Sequence, residues 1–240
     1  MNIADFRSQL EAELDWRTKE IFFFQNQCAT LEDKGEKEKF RRALILILYS
    51  HFEGFCKFGF TLYVSVINKE NIDCKDANYA IAAASLSDLF VSLRDGTNKA
   101  PEFKNNAPDD TKLHRFARER EFIQRTADFL GRKVCIPDSV VDTESNLKPI
   151  VLRKNLYKLG LPHNLFSSIE PDIDMLLNLR NNIAHGATKD GIPERRYEQL
   201  RESVFRIMKI ISIELTEAVS EKWYQKITYS SEGACPLGIG

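Results

Sequence analysis

Little in this chain could build a metal centre or a disulfide framework. Its five cysteines, Cys28, Cys56, Cys74, Cys135 and Cys235, are odd in number, scattered over 240 residues and without a C-x-x-C pair. Its four histidines, His51, His114, His163 and His185, lack ligand spacing, so neither a metal nor another cofactor is expected. An excess of charge of one sign is also missing: 34 Lys and Arg against 35 Asp and Glu leave a formal net charge of -1. That balance excludes a coat protein attracted to nucleic acid everywhere and leaves local basic patches as the only cationic surfaces. The opening residues Met1-Asn2-Ile3-Ala4-Asp5 carry no basic and apolar leader pattern. The most apolar stretch, Ala43 to Val66, is interrupted by His51, Glu53 and Lys57, which favours a buried helix over a membrane span. The expected compartment is the cytoplasm, with reduced thiols and no membrane partner. Internal repeats and low-complexity tracts are absent.

What is present is helical periodicity. With 43% hydrophobic and 29% charged residues, the length suits one sizeable all-α domain over residues 1–227, followed by a small, polar tail at 228–240. Ile3 to Leu31 reads as an amphipathic helix marked by Phe6, Leu10, Leu14, Ile21 and Phe24. After a charged turn with Gly35, Lys39 to Asn68 is apolar on nearly every side, as the centre of an antiparallel bundle would be. A third helical region covers about Tyr79 to Leu93. Residues 98–147 read as an insertion: a loop from Asn98 to Asp110, a charged helix from Thr111 to Leu130, and a loop-like stretch from Val134 to Leu147. A basic helix from Lys148 to Leu159 follows. Both charged helices read first as solvated faces, with an RNA-backbone track as the second reading. Pro171 opens another helix at a position where its missing N–H costs nothing, and Pro193 to about Gln225 forms the last.

The helix after Pro171 carries the chemistry. Ile173, Leu176, Leu177 and Ala184 recur at helical spacing, and Arg180 falls within that apolar face. Asp174, Asn178, Asn181 and His185, at steps of four, three and four, make a polar stripe beside it, and Gly186 supplies the stop. A permanent charge on an apolar stripe is costly unless it is paired or faces a wet cleft. It is therefore read either as half of a structural pair or as a phosphate-binding arginine beside a proton-transferring histidine.

The run Arg180-Asn181-Asn182-Ile183-Ala184-His185-Gly186 resembles the Arg-x4-His signature of the HEPN superfamily of nucleotide-binding helical domains. The segment from Arg41 to Lys57, with Phe52-Glu53-Gly54-Phe55 at its centre, is similar to the long early helix of the prokaryotic, MAE-like HEPN subgroup. The resemblance spans roughly Asp15 to Gln225. It implies a metal-independent endoribonuclease of toxin or phage-defence type, leaving 2',3'-cyclic phosphate and 5'-hydroxyl ends. It also implies a homodimer in which two motifs share one cleft, with RNA as substrate and a neighbouring antitoxin or regulatory protein as a possible partner. The alternative is a non-catalytic HEPN module that binds a partner protein or a nucleotide, to which the neutral charge balance lends support.

The division of labour follows from the side chains. Arg180 can hold a phosphate through its planar fork, and His185 can take or give a proton. Asn181 can donate to a phosphate oxygen or fix the imidazole, while Asn182 reads as exposed. Glu53, among Tyr49, Phe52, Phe55, Cys56 and Phe60, is expected to be buried and to pair with a cation, Arg180 first, with His185 or Lys57 as the alternatives. His51 lies about 160° around the helix from Glu53 and stays outside the site.

Overall fold

A computed structural model describes residues 1–97, 99–103, 110–187 and 189–226. Its helices are α1 (Ile3–Thr30), α2 (Lys34–Lys69), α3 (Tyr79–Ser85), α4 (Ser87–Arg94), α5 (Thr111–Gln124), α6 (Thr126–Leu130), α7 (Pro149–Lys158), α8 (Glu170–Ala184) and α9 (Glu194–Ser220). Among the described residues there are no strands, only isolated bridges pairing Asp73 with Lys133 and Ala77 with Gln225. The all-α expectation holds. The Thr228 tail and most of the Asn98 to Asp110 loop lie outside the described residues.

The centre of the bundle is α2, which packs against α1, α8 and α9. Its sequence explains this position, because Leu44, Leu48, Phe52, Phe55, Tyr63 and Ile67 are buried around more than one face, so no single neighbour could cover it. Among the described residues it is also the helix long and apolar enough to cross a membrane, and over half of that stretch is covered by its neighbours. Asp33 starts it by accepting the Glu36 amide at 2.8 Å, which places the first turn at Lys34 rather than at Lys39. In the same way Asn2 caps α1 by accepting the Asp5 amide at 2.8 Å.

Two elements that read as continuous from sequence are broken. The 79–93 region divides at Leu86, and the 111–130 region divides at Arg125. Apolar periodicity continues through both breaks, so the pattern alone does not reveal them. A single asparagine ties three distant parts together: Asn78 caps α3 through the Ile81 amide at 2.9 Å and donates to the Trp223 carbonyl at 2.6 Å. Gly160, at φ +69°, passes so close that a Cβ there would lie 2.6 Å from the Asn78 amide nitrogen.

The motif helix is pinned at its start. Asp172 accepts from Gln199 at 2.7 Å and from the Ser203 hydroxyl, both on α9, and Glu170 pairs with Arg153 of α7. Ile173, Leu176 and Leu177 are buried in the common core, whereas Ala184 is exposed. The first three are therefore ordinary core positions of one subunit, and they cannot also meet a second copy.

Candidate functional site

α8 ends in a Schellman turn. The Gly186 amide donates to the Ile183 carbonyl at 3.1 Å, and the Ala187 amide donates to Asn182 at 2.8 Å, with Gly186 left-handed at φ +69°. Gly186 is the residue type that this geometry favours, and the stop it imposes leaves His185 as the capping residue, with its side chain exposed. Arg180 lies five residues earlier, about 7.5 Å along the axis.

Arg180 is half-buried, and its surroundings are aromatic and neutral. Its guanidinium carbon sits 5.1 Å from the centre of the Tyr49 ring on α2. One terminal nitrogen, Nη1, donates to the Asn181 side-chain oxygen at 2.8 Å and to that of Asn146 at 3.4 Å. Among the described residues no carboxylate lies within 4.0 Å of it. Arg17, Arg41, Arg153 and Arg201, which are also buried or half-buried, each have one. The charge of Arg180 is thus held in place by dipoles and a π face, not neutralised.

Beneath it, the Tyr49 hydroxyl accepts the Leu147 amide at 2.7 Å and anchors the end of the 142–148 loop. Burial pushes the Tyr49 phenol up to about 12, the neighbouring Glu53 carboxylate adds to the rise, and the Leu147 amide and Arg180 oppose it. Tyr49 is therefore a neutral platform at physiological pH. Glu53 is half-buried beside it, with no cation within 4.0 Å among the described residues. The expected ion pair between Glu53 and Arg180 is not formed: both groups neighbour Tyr49, and the Asn146 and Asn181 side-chain oxygens accept from the guanidinium instead.

The loop that brings Asn146 to this point is rigidly specified. Buried Asn155 of α7 accepts the Asp142 amide at 3.1 Å and donates to the Asp142 carbonyl at 2.8 Å. Glu144 and Ser145 then adopt positive φ, 51° and 59°, which turns the chain so that Asn146 faces Arg180. Arg180, Asn181 and Glu53 are therefore gathered around Tyr49, with His185 five residues beyond Arg180 at the open end of α8. His51 is on another face of α2, where its Nε2 bonds Glu20 at 2.8 Å. Tyr49 could have been found from sequence, four residues before Glu53 on the same helix face. No local signal marks Asn146, which comes from 34 residues upstream of Arg180.

Such an arrangement can hold a phosphate on a fixed guanidinium while an exposed imidazole handles protons nearby. Among the described residues no group of three or more His, Cys, Asp or Glu converges as a metal-ligand set. The described residues form an all-α helical bundle of the HEPN type. The chain matches the model of the MAE_28990-like HEPN family over residues 6–224, and it belongs to that family. No curated protein and no solved structure matches it.

Proposed function

We propose that this protein is a metal-independent endoribonuclease of toxin or phage-defence type, acting in the cytoplasm as a homodimer. The observation that carries the proposal is the state of Arg180: a half-buried guanidinium aimed by Asn146 and Asn181, with no carboxylate within 4.0 Å among the described residues, five residues before an exposed histidine. A charge kept in that state is destabilising unless an anion arrives to complete it. Family membership is compatible with both RNase activity and nucleotide binding, and an RNA phosphate satisfies either demand.

In this reading a 2'-hydroxyl oxygen attacks the adjacent phosphorus and the bond from phosphorus to the 5'-oxygen breaks, leaving a 2',3'-cyclic phosphate and a 5'-hydroxyl. One imidazole takes the proton from the 2'-oxygen and another delivers a proton to the departing 5'-oxygen. Arg180 stabilises the charge that builds on the nonbridging oxygens. A single chain offers one motif, so His185 of two copies facing each other supplies base and acid. Because Ile173, Leu176 and Leu177 are core, the two copies would meet through the exposed polar stripe of α8 and its surroundings. A neighbouring antitoxin or regulatory protein would hold the activity in check.

The test is incubation of purified wild type, Arg180→Ala and His185→Ala with RNA in EDTA. Cleavage that survives the chelator and disappears in both variants is the expected result, accompanied by growth arrest on expression of the wild type alone. Tight RNA or nucleotide binding with no cleavage would replace this reading with that of a binding module.

A further inference from the structure

Arg42, Leu46, Tyr49 and Glu53 follow one another at steps of four, three and four along α2 and so share one face of it. Tyr49 on that stripe lies under Arg180. Arg42 is two turns closer to the start of α2, about 10 Å along the axis. Because α8 runs antiparallel to α2, this is the end towards which the chain turns after His185. The contacts are direct: Arg42 Nη1 donates to the Lys189 carbonyl at 3.3 Å, and the Ile192 amide donates to the Glu38 carbonyl at 2.9 Å. Gly191 packs so tightly against α2 that a Cβ there would be 2.4 Å from the Glu38 Cβ. Arg42 thus faces the loop that follows His185.

Its electrostatic state repeats that of Arg180. Arg42 is half-buried, its Nε is fully covered and has no hydrogen-bond partner, and no carboxylate lies within 4.0 Å among the described residues. The contrast with its neighbour is direct, since Arg41 is buried and pairs with Glu194 at 3.3 Å. A structural arginine at this helix end has a partner, and Arg42 has one weak bond to a carbonyl. Arg42 and the Tyr49 ring under Arg180 lie on one stripe, two turns apart, an arrangement that suits two phosphates of one strand.

We infer that Arg42 is a second phosphate-binding residue, which holds the RNA backbone beside the phosphate that Arg180 engages and lays the strand along the stripe past His185. The inference rests on the ribonuclease reading and deepens it. The guanidinium fork donates to the nonbridging oxygens of the flanking phosphate, and no bond is made or broken there.

The probe is a short single-stranded 2'-O-methyl oligonucleotide, which lacks the attacking hydroxyl, titrated by fluorescence anisotropy over a range of salt. Arg42→Gln is expected to bind about tenfold more weakly at low salt, with a slope of log affinity against log salt shallower by about 0.7, the value for one phosphate on a single strand. Arg42→Lys keeps the charge and falls between the two, and it replaces the Gln variant should that one fail to fold. On cleavable RNA, Arg42→Gln raises KM with kcat little changed. Wild-type affinity and salt slope in Arg42→Gln would overturn the inference and leave the ribonuclease reading standing. So would loss of kcat with binding intact, since Arg42 would then only clamp the Lys189 loop. A wild type that neither binds the probe nor cleaves RNA removes both.

Discussion

Two clusters around α2 contain the same ingredients, an arginine, a histidine, a glutamate and an aromatic ring, and arrange them in opposite ways. At His51 the set closes on itself. The buried imidazole donates from Nε2 to Glu20 at 2.8 Å and meets the edge of Trp16 at 5.3 Å, while Arg17 stacks over Trp16 at 4.5 Å and pairs with Glu13 at 3.0 Å. At Arg180 the set stays open: the guanidinium and the Glu53 carboxylate do not pair, both neighbour a neutral phenol, and His185 faces solvent. Pairing uses up binding capacity, so residue type alone does not distinguish a structural cluster from a functional one. The charge left over after every internal partner is counted does.

The strongest way to break this comparison is to remove the two histidines in turn. His185→Ala is expected to lower RNA cleavage by about 10²–10⁴-fold, the usual contribution of a positioned acid or base, with an unchanged thermal midpoint because the side chain is exposed. His51→Ala is expected to do the reverse, costing about 1–3 kcal/mol in denaturant unfolding while the folded protein keeps its kcat. A smaller effect probes the platform. Tyr49→Phe strands the buried Leu147 amide and should cost about 1–2 kcal/mol, and by loosening the Asn146 loop it should also reduce turnover. Gly186→Ala places a Cβ in left-handed backbone, with open space around it, for a loss of about 1 kcal/mol. A larger stability loss would show that the turn after His185 carries more of the fold than its geometry indicates.

The smallest effect is one of pH. Burial holds the His51 imidazole below its ordinary value of 6.5; exposed Glu20 pulls upward and Arg17 downward, and the net shift stays negative. The unfolded chain therefore takes up this proton more readily than the folded one. Its contribution is complete above about 6.5 and is lost as pH falls through the folded value, so stability should decline on acidification. His51→Gln should flatten that decline, as measured by denaturant midpoints across the window.

Much of the fold is legible in the chain itself. The long apolar run around Phe52 requires a central helix, and Gly186 after His185 marks the end of the motif helix, because both follow from local sequence. The polar stripe of Asp174, Asn178, Asn181 and His185 is solvent-facing or half-buried as its spacing predicts. The partners of Arg180 are not legible. Burial alone points to a pair with Glu53, yet the outcome depends on a loop turned by Glu144 and Ser145 and fastened by Asn155, contacts that no periodicity encodes. The same holds for Ile173, Leu176 and Leu177, whose stripe could equally face a second copy until α2 and α9 are seen to cover it.

The most direct measurement is the chemistry of the ends. An oligoribonucleotide digested by wild-type protein in EDTA should give fragments that mass spectrometry identifies as 2',3'-cyclic phosphate and 5'-hydroxyl species, and a single 2'-deoxy substitution at the cut position should abolish that cut. Cleavage that continues past the deoxy substitution, or fragments with 5'-phosphate ends, would contradict attack by the 2'-oxygen and with it the roles of Arg180 and His185 in the cleavage.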